Sequence, residues 1–128
     1  MAVGERKSVI YLGDGIARSH VLDRQEFQGL IDRLVGSQTS VTSLAIGPVL
    51  NVEGLATIAN HTGGCVFVRD RMSGTTQEIG RGLSQVAMEP VFWSQVGDFP
   101  QAMAQRFPQA LPPLRSDRDS ILIGNHNA

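Results

Sequence analysis

The chain holds one cysteine, Cys65, in 128 residues, which excludes an intrachain disulfide. That scarcity favours a reducing compartment or a fold that does not rely on disulfides. Basic charge is not in excess: 11 basic residues against 12 acidic ones leave a net charge of −1. Nucleic-acid binders usually carry a basic surplus, so no nucleic-acid partner is expected. There is no basic amphipathic helix and no apolar run near the length of a bilayer span, so no membrane partner is expected either. The opening residues, MAVGERK, lack the apolar stretch of a signal peptide. With Met1 as the true start, the default compartment is the cytoplasm.

What is present is ordinary globular material, 41% hydrophobic and 18% charged, in about one domain's length of chain. Residues 8–12 are short, apolar and β-branched at Val9 and Ile10, and they end on Gly13-Asp14-Gly15; they read as a buried strand. Asp23 and Glu26 have capping-box spacing ahead of Phe27, Leu30, Ile31 and Leu34, which share one helical face, and Gly36 suits the position just past the helix end. A second strand over residues 41–46 closes on Gly47-Pro48. Asn51 then caps a helix that turns Leu55, Ile58 and Ala59 inward and stops at Gly63-Gly64. Residues 65–68 (CVFV) form a third strand. Thr75 and Glu78 make a second capping-box pair before Ile79, Leu83 and Val86, in a helix that Gly80 and Gly82 weaken by roughly 1 kcal/mol each.

This alternation predicts an α/β fold with parallel strands at about 8–13, 41–46 and 65–68 and helices at about 24–35, 52–62 and 76–87. After residue 88 the character changes. Residues 90–93 (PVFW) read as a short strand or packing arm, residues 98–107 as a short helix, and residues 110–114 (ALPPL) as a Pro-rich linker. Residues 121–123 are a last apolar strand.

In an open parallel sheet, ligands bind beyond the carboxyl ends of the strands. Asp14 follows the first strand, Gly47 the second, and Arg69-Asp70 the third, so all are expected on one rim. A carboxylate there is a hard oxygen ligand suited to Mg²⁺ or Mn²⁺.

Residues 9–15 (VIYLGDG) resemble the fourth strand of a von Willebrand factor type A domain, an apolar run ending in Thr-Asp-Gly. Residues 41–47 (VTSLAIG) are similar to the strand that follows it. Residues 55–64 (LATIANHTGG) are similar to the next helix, Leu-x-x-Ile-Ala-x-x-Thr-Gly-Gly. The resemblance covers about residues 8–87. It implies a three-layer Rossmann-like half-domain over residues 1–88, with residues 89–128 as a C-terminal extension. It also implies a non-enzymatic protein–protein interaction module in which Asp14 is a metal contact. The family's Asp-x-Ser-x-Ser motif has no counterpart here, and Gly13 stands where the family has Thr. The adhesion site is therefore incomplete. Mg²⁺ or Mn²⁺ is expected in a complete domain, with no tight binding to this chain alone. In the family's sheet the strand carrying Asp14 is central, so here it becomes an exposed apolar edge open to a protein partner or to self-association.

Each feature also has a plainer explanation. Asp14 suits a turn residue bonded to nearby amides. His61 suits a helix C-terminus. Cys65 suits a small buried hydrophobe, and Phe92 with Trp93 suits core packing. Arg69-Asp70-Arg71 suits a solvated loop. His20 and His126 have no spacing that links them with His61 into a zinc site. The alternative function is a small α/β phosphoryl- or nucleotide-handling enzyme with Asp14 as ligand or nucleophile. Receiver-like domains also need early acids and a late lysine, and the only lysine is Lys7. A fragment without independent function is the third reading.

Overall fold

A computed structural model describes residues 6–19, 21–94, 103–108 and 110–126. Three strands and three helices alternate along the first part of the chain: β1 (Lys7–Gly13), α1 (Arg24–Gly36), β2 (Thr39–Ala45), α2 (Val52–Thr62), β3 (Val66–Val68) and α3 (Thr76–Met88), with a 3-10 turn at Arg69–Arg71 after β3. The strands form one sheet in the order β1-β2-β3, and both pairings are parallel. Val9 lies beside Val41, Tyr11 beside Ser43 and Leu12 beside Leu44.

Successive strand residues point to opposite faces. Val41 and Ser43 look toward α1 and α2. On the other face Leu44 packs with Ile79 and Leu83 of α3, joined by Phe67 and Met72. β2 is flanked on both sides and covered on both faces, so Ser40 to Ala45 are all buried.

The helix starts form as their side chains dictate. The Glu26 N–H donates to Asp23 and the Asp23 N–H to the Glu26 carboxylate; Thr75 and Glu78 make the same reciprocal pair. The Asn51 side chain accepts from the Gly54 N–H. The end of α1 differs from expectation. Gly36 lies inside the helix, Ser37 is the C-cap, and the left-handed residue is Gln38, at φ 52°.

The Thr62-Gly63-Gly64 sequence has a clear physical role. The buried Thr62 hydroxyl accepts from the Val41 N–H at 3.1 Å and donates to the Ile58 carbonyl at 2.7 Å, which ties the end of α2 to β2. Gly63 is the left-handed C-cap. Gly64 passes so close to β2 that a Cβ there would meet the Val41 carbonyl oxygen.

The extension forms two small antiparallel pairs. β4 (Val91–Phe92) pairs with β6 (Leu114–Arg115), and β5 (Met103–Phe107) with β7 (Ile123–His126). The short helix expected over residues 98–107 is corrected. Its described part, residues 103–107, is strand, and residues 98–102 lie outside the described residues. Trp93 is buried, as core packing requires. No helix among the described residues is long and apolar enough to cross a membrane.

Candidate protein-interaction site

The buried strand expected at residues 8–12 is the most exposed strand of the sheet. β1 has β2 on one side and, among the described residues, no strand on the other. Val9, Ile10 and Tyr11 are 45%, 43% and 37% exposed, and Leu12 is 61% exposed, although β1 is the more apolar of two strands of equal length, β2 carrying Thr39, Ser40, Thr42 and Ser43. The contrast comes from position in the sheet and not from composition. The exposure that the family resemblance implied for this strand is present.

Backbone directions follow from one bond. The Gly13 carbonyl accepts from the Ile46 N–H, so it points at β2. Alternation along a strand then turns Tyr11 and Val9 toward β2 as well. Ser8, Ile10 and Leu12 offer their N–H and C=O groups to the open edge.

Beside this edge runs an apolar trough of about 680 Å³ between the sheet and the first two helices, lined by Val9, Tyr11, Phe27, Leu30, Leu34 and Ile58 among others. The inward faces of α1 and α2 are therefore only partly covered: Phe27, Leu30 and Leu34 are half-buried while Ile31 is fully buried. The Ser43 hydroxyl on the trough wall, and the Thr42 hydroxyl on the opposite face, are buried with no hydrogen-bond partner among the described residues.

Asp14 stands on the carboxyl rim, where the parallel strands put it. Its Oδ1 accepts from the Ile16 N–H at 2.9 Å, an Asx-type turn, and Oδ2 is 3.7 Å from the exposed Arg18 guanidinium. Gly15 takes φ +74°, and a Cβ there would fall 2.9 Å from Leu55, so the turn needs glycine to lie against α2. Gly47 is close by: a Cβ on it would be 3.3 Å from that of Asp14. Asp70 follows β3, two strand spacings away, or about 10 Å, too far to share one ion with Asp14. No group of three or more His, Cys, Asp or Glu side chains suited to a metal occurs among the described residues. A divalent cation wants six or more oxygens, and one carboxylate already held by an amide and a guanidinium does not fit one.

The other singled-out residues are structural or peripheral. The His61 ring meets the Thr57 carbonyl at 2.8 Å, one turn back along α2. Cys65 is half-buried, with the Arg118 guanidinium 3.8 Å from its sulfur. His20 lies outside the described residues, and the side chain of His126 does as well.

Sequence reasoning missed Arg115. Its side chain is fully buried and donates to the Gly63 carbonyl at 3.1 Å, the Val86 carbonyl at 2.9 Å and the Asp117 carboxylate at 2.7 Å. The charge thus serves the carboxyl ends of α2 and α3 together, where the helix dipoles favour a cation. Its bond to Asp117 raises the Arg115 pKa above the ordinary arginine value and holds the Asp117 carboxyl below the usual range. The signal in the sequence was slight: an arginine closing the apolar run LPPL, with an aspartate two residues on.

In comparisons with known proteins the chain matches no family model, no curated protein and no solved structure.

Proposed function

We propose that the chain is a non-enzymatic protein–protein interaction module that docks its partner along the open edge of β1 and the trough beside it. One observation carries this reading: four consecutive apolar residues, Val9 to Leu12, stand exposed on a strand edge that no strand among the described residues pairs. Such an edge templates pairing with another chain, and soluble proteins normally blunt or cover it. The resemblance to the second half of a von Willebrand factor type A domain supports the same reading, because that family's corresponding strand is interior to its sheet. Asp14 is proposed as a rim contact. Any shared Mg²⁺ or Mn²⁺ would have to draw most of its oxygens from another chain.

The test is photo-crosslinking in cells that produce the protein, with p-benzoylphenylalanine replacing Leu12. Arg81, on the exposed side of α3, is the control position. A discrete adduct at position 12 that is absent at position 81 is the expected result. The same background at both positions would sink the proposal. Any adducted polypeptide supports docking at this edge, and its mass says whether it is a second copy.

A further inference from the structure

We infer that the occupant of the β1 edge is a second copy of the same chain, paired antiparallel about Ile10 to give one continuous sheet in the order β3-β2-β1-β1-β2-β3. The inference rests on the docking edge proposed above and adds the partner and the register.

Two identical edges can meet face to face only through a two-fold axis. With that axis normal to the sheet the strands run antiparallel and the contact closes on itself. The alternative, β1 against β3 of the next copy, would be open-ended and badly matched, because β1 has seven residues and β3 three.

Full overlap of Lys7–Gly13 with its copy sets the register. Ile10 faces the copy's Ile10, Val9 faces Tyr11, Ser8 faces Leu12 and Lys7 faces Gly13. The residues with outward backbone groups, Ser8, Ile10 and Leu12, then face one another and exchange about six hydrogen bonds. Because opposite residues share a face, Val9 and the copy's Tyr11 extend the trough wall, while Ile10 and Leu12 continue the α3 side. One step beyond the strand, Arg6 falls opposite the copy's Asp14, and the pair occurs twice. Both side chains are within reach: Arg6 is exposed and only loosely held by the Met88 carbonyl at 3.4 Å, and the present partner of Asp14, Arg18, is 84% exposed. Two identical chains thus meet with apolar residues in the middle and opposite charges at both ends.

Sedimentation equilibrium should give a dimer with a Kd of about 10 µM or tighter. A chain still monomeric at about 100 µM overturns the inference. Arg6→Asp alone and Asp14→Lys alone should each weaken association at least about tenfold. An equimolar mixture of the two should recover it as a heterodimer, because each unlike contact then joins opposite charges.

Asp14 also holds the turn at Ile16, so a cysteine scan in a Cys65→Ser background gives an independent readout. Ile10→Cys should oxidise to a disulfide-linked dimer, since facing residues of a hydrogen-bonded pair have Cα atoms about 5.5 Å apart. Leu12→Cys should not, its copy being more than about 13 Å away. Crosslinking at position 12 and not at 10 overturns the register. A dimer indifferent to every substitution overturns the edge as its interface. A photo-crosslinked adduct containing a different polypeptide alone would leave the interaction module standing and remove self-pairing.

Discussion

Gly64 has no room for a side chain. A Cβ built there lies 1.8 Å from the Val41 carbonyl oxygen, a backbone atom that cannot step aside without moving β2. Gly64→Ala should therefore destabilise the fold by about 3 kcal/mol in urea titration. Thr62→Val should cost about 1–3 kcal/mol, because the buried Val41 N–H loses its acceptor, and Thr62→Ser should restore most of that. An unchanged midpoint for either variant would contradict the close approach of α2 to β2. From sequence, Gly63-Gly64 was legible only as a helix stop. The clash that makes the second glycine necessary lies between residues more than twenty positions apart and exists only once the helix end has docked.

Helix starts were legible because capping is local chemistry. Asp23 with Glu26, Asn51 with Gly54, and Thr75 with Glu78 each find a partner three residues away, whatever the rest of the chain does. The end of α1 was not, since Gln38 and not Gly36 takes the left-handed turn that leads directly into β2.

The start of α3 has a pH consequence. The Thr75 N–H and hydroxyl both donate to the Glu78 carboxylate, and these bonds hold its pKa below the ordinary glutamate value. A carboxyl whose folded pKa is depressed contributes stability above its unfolded pKa, about 4.3, and that contribution is lost as pH falls through the folded value. The thermal midpoint of Glu78→Gln should therefore lie below that of the parent at neutral pH, and the gap should close in acid. A gap that stays constant down to about pH 3 would show that the carboxylate charge does not stabilise the cap.

At the scale of the whole molecule, Arg115 fastens the extension to the α/β unit. Its guanidinium reaches the carboxyl ends of two helices, with Asp117 as counter-charge. Arg115→Met should cost about 2–3 kcal/mol, since it leaves the Gly63 and Val86 carbonyls without their charged donor. Asp117 is partly exposed and can turn to water, so Asp117→Asn should cost less. Hydrogen exchange should localise the loss in Arg115→Met to β4, β6 and the last turns of α2 and α3; uniform loss over β1 and α1 would count against the clamp.

Local order, the caps, the alternation of strand and helix, and hence the parallel α/β arrangement were determined by the sequence itself. Each depends on side-chain spacing and short-range backbone chemistry. Asp14 could be placed on the rim for the same reason, because strand direction follows from the crossovers. Burial was decided only by tertiary structure. β1 is the more apolar of the two seven-residue strands and β2 the richer in hydroxyls, yet β2 is enclosed and β1, among the described residues, lies at the edge. A strand's exposure is set by its neighbours in the sheet, and no pattern within the strand encodes them. Arg115 was illegible for a related reason: the two carbonyls it serves lie 52 and 29 residues away, and only the packed chain brings them to one point.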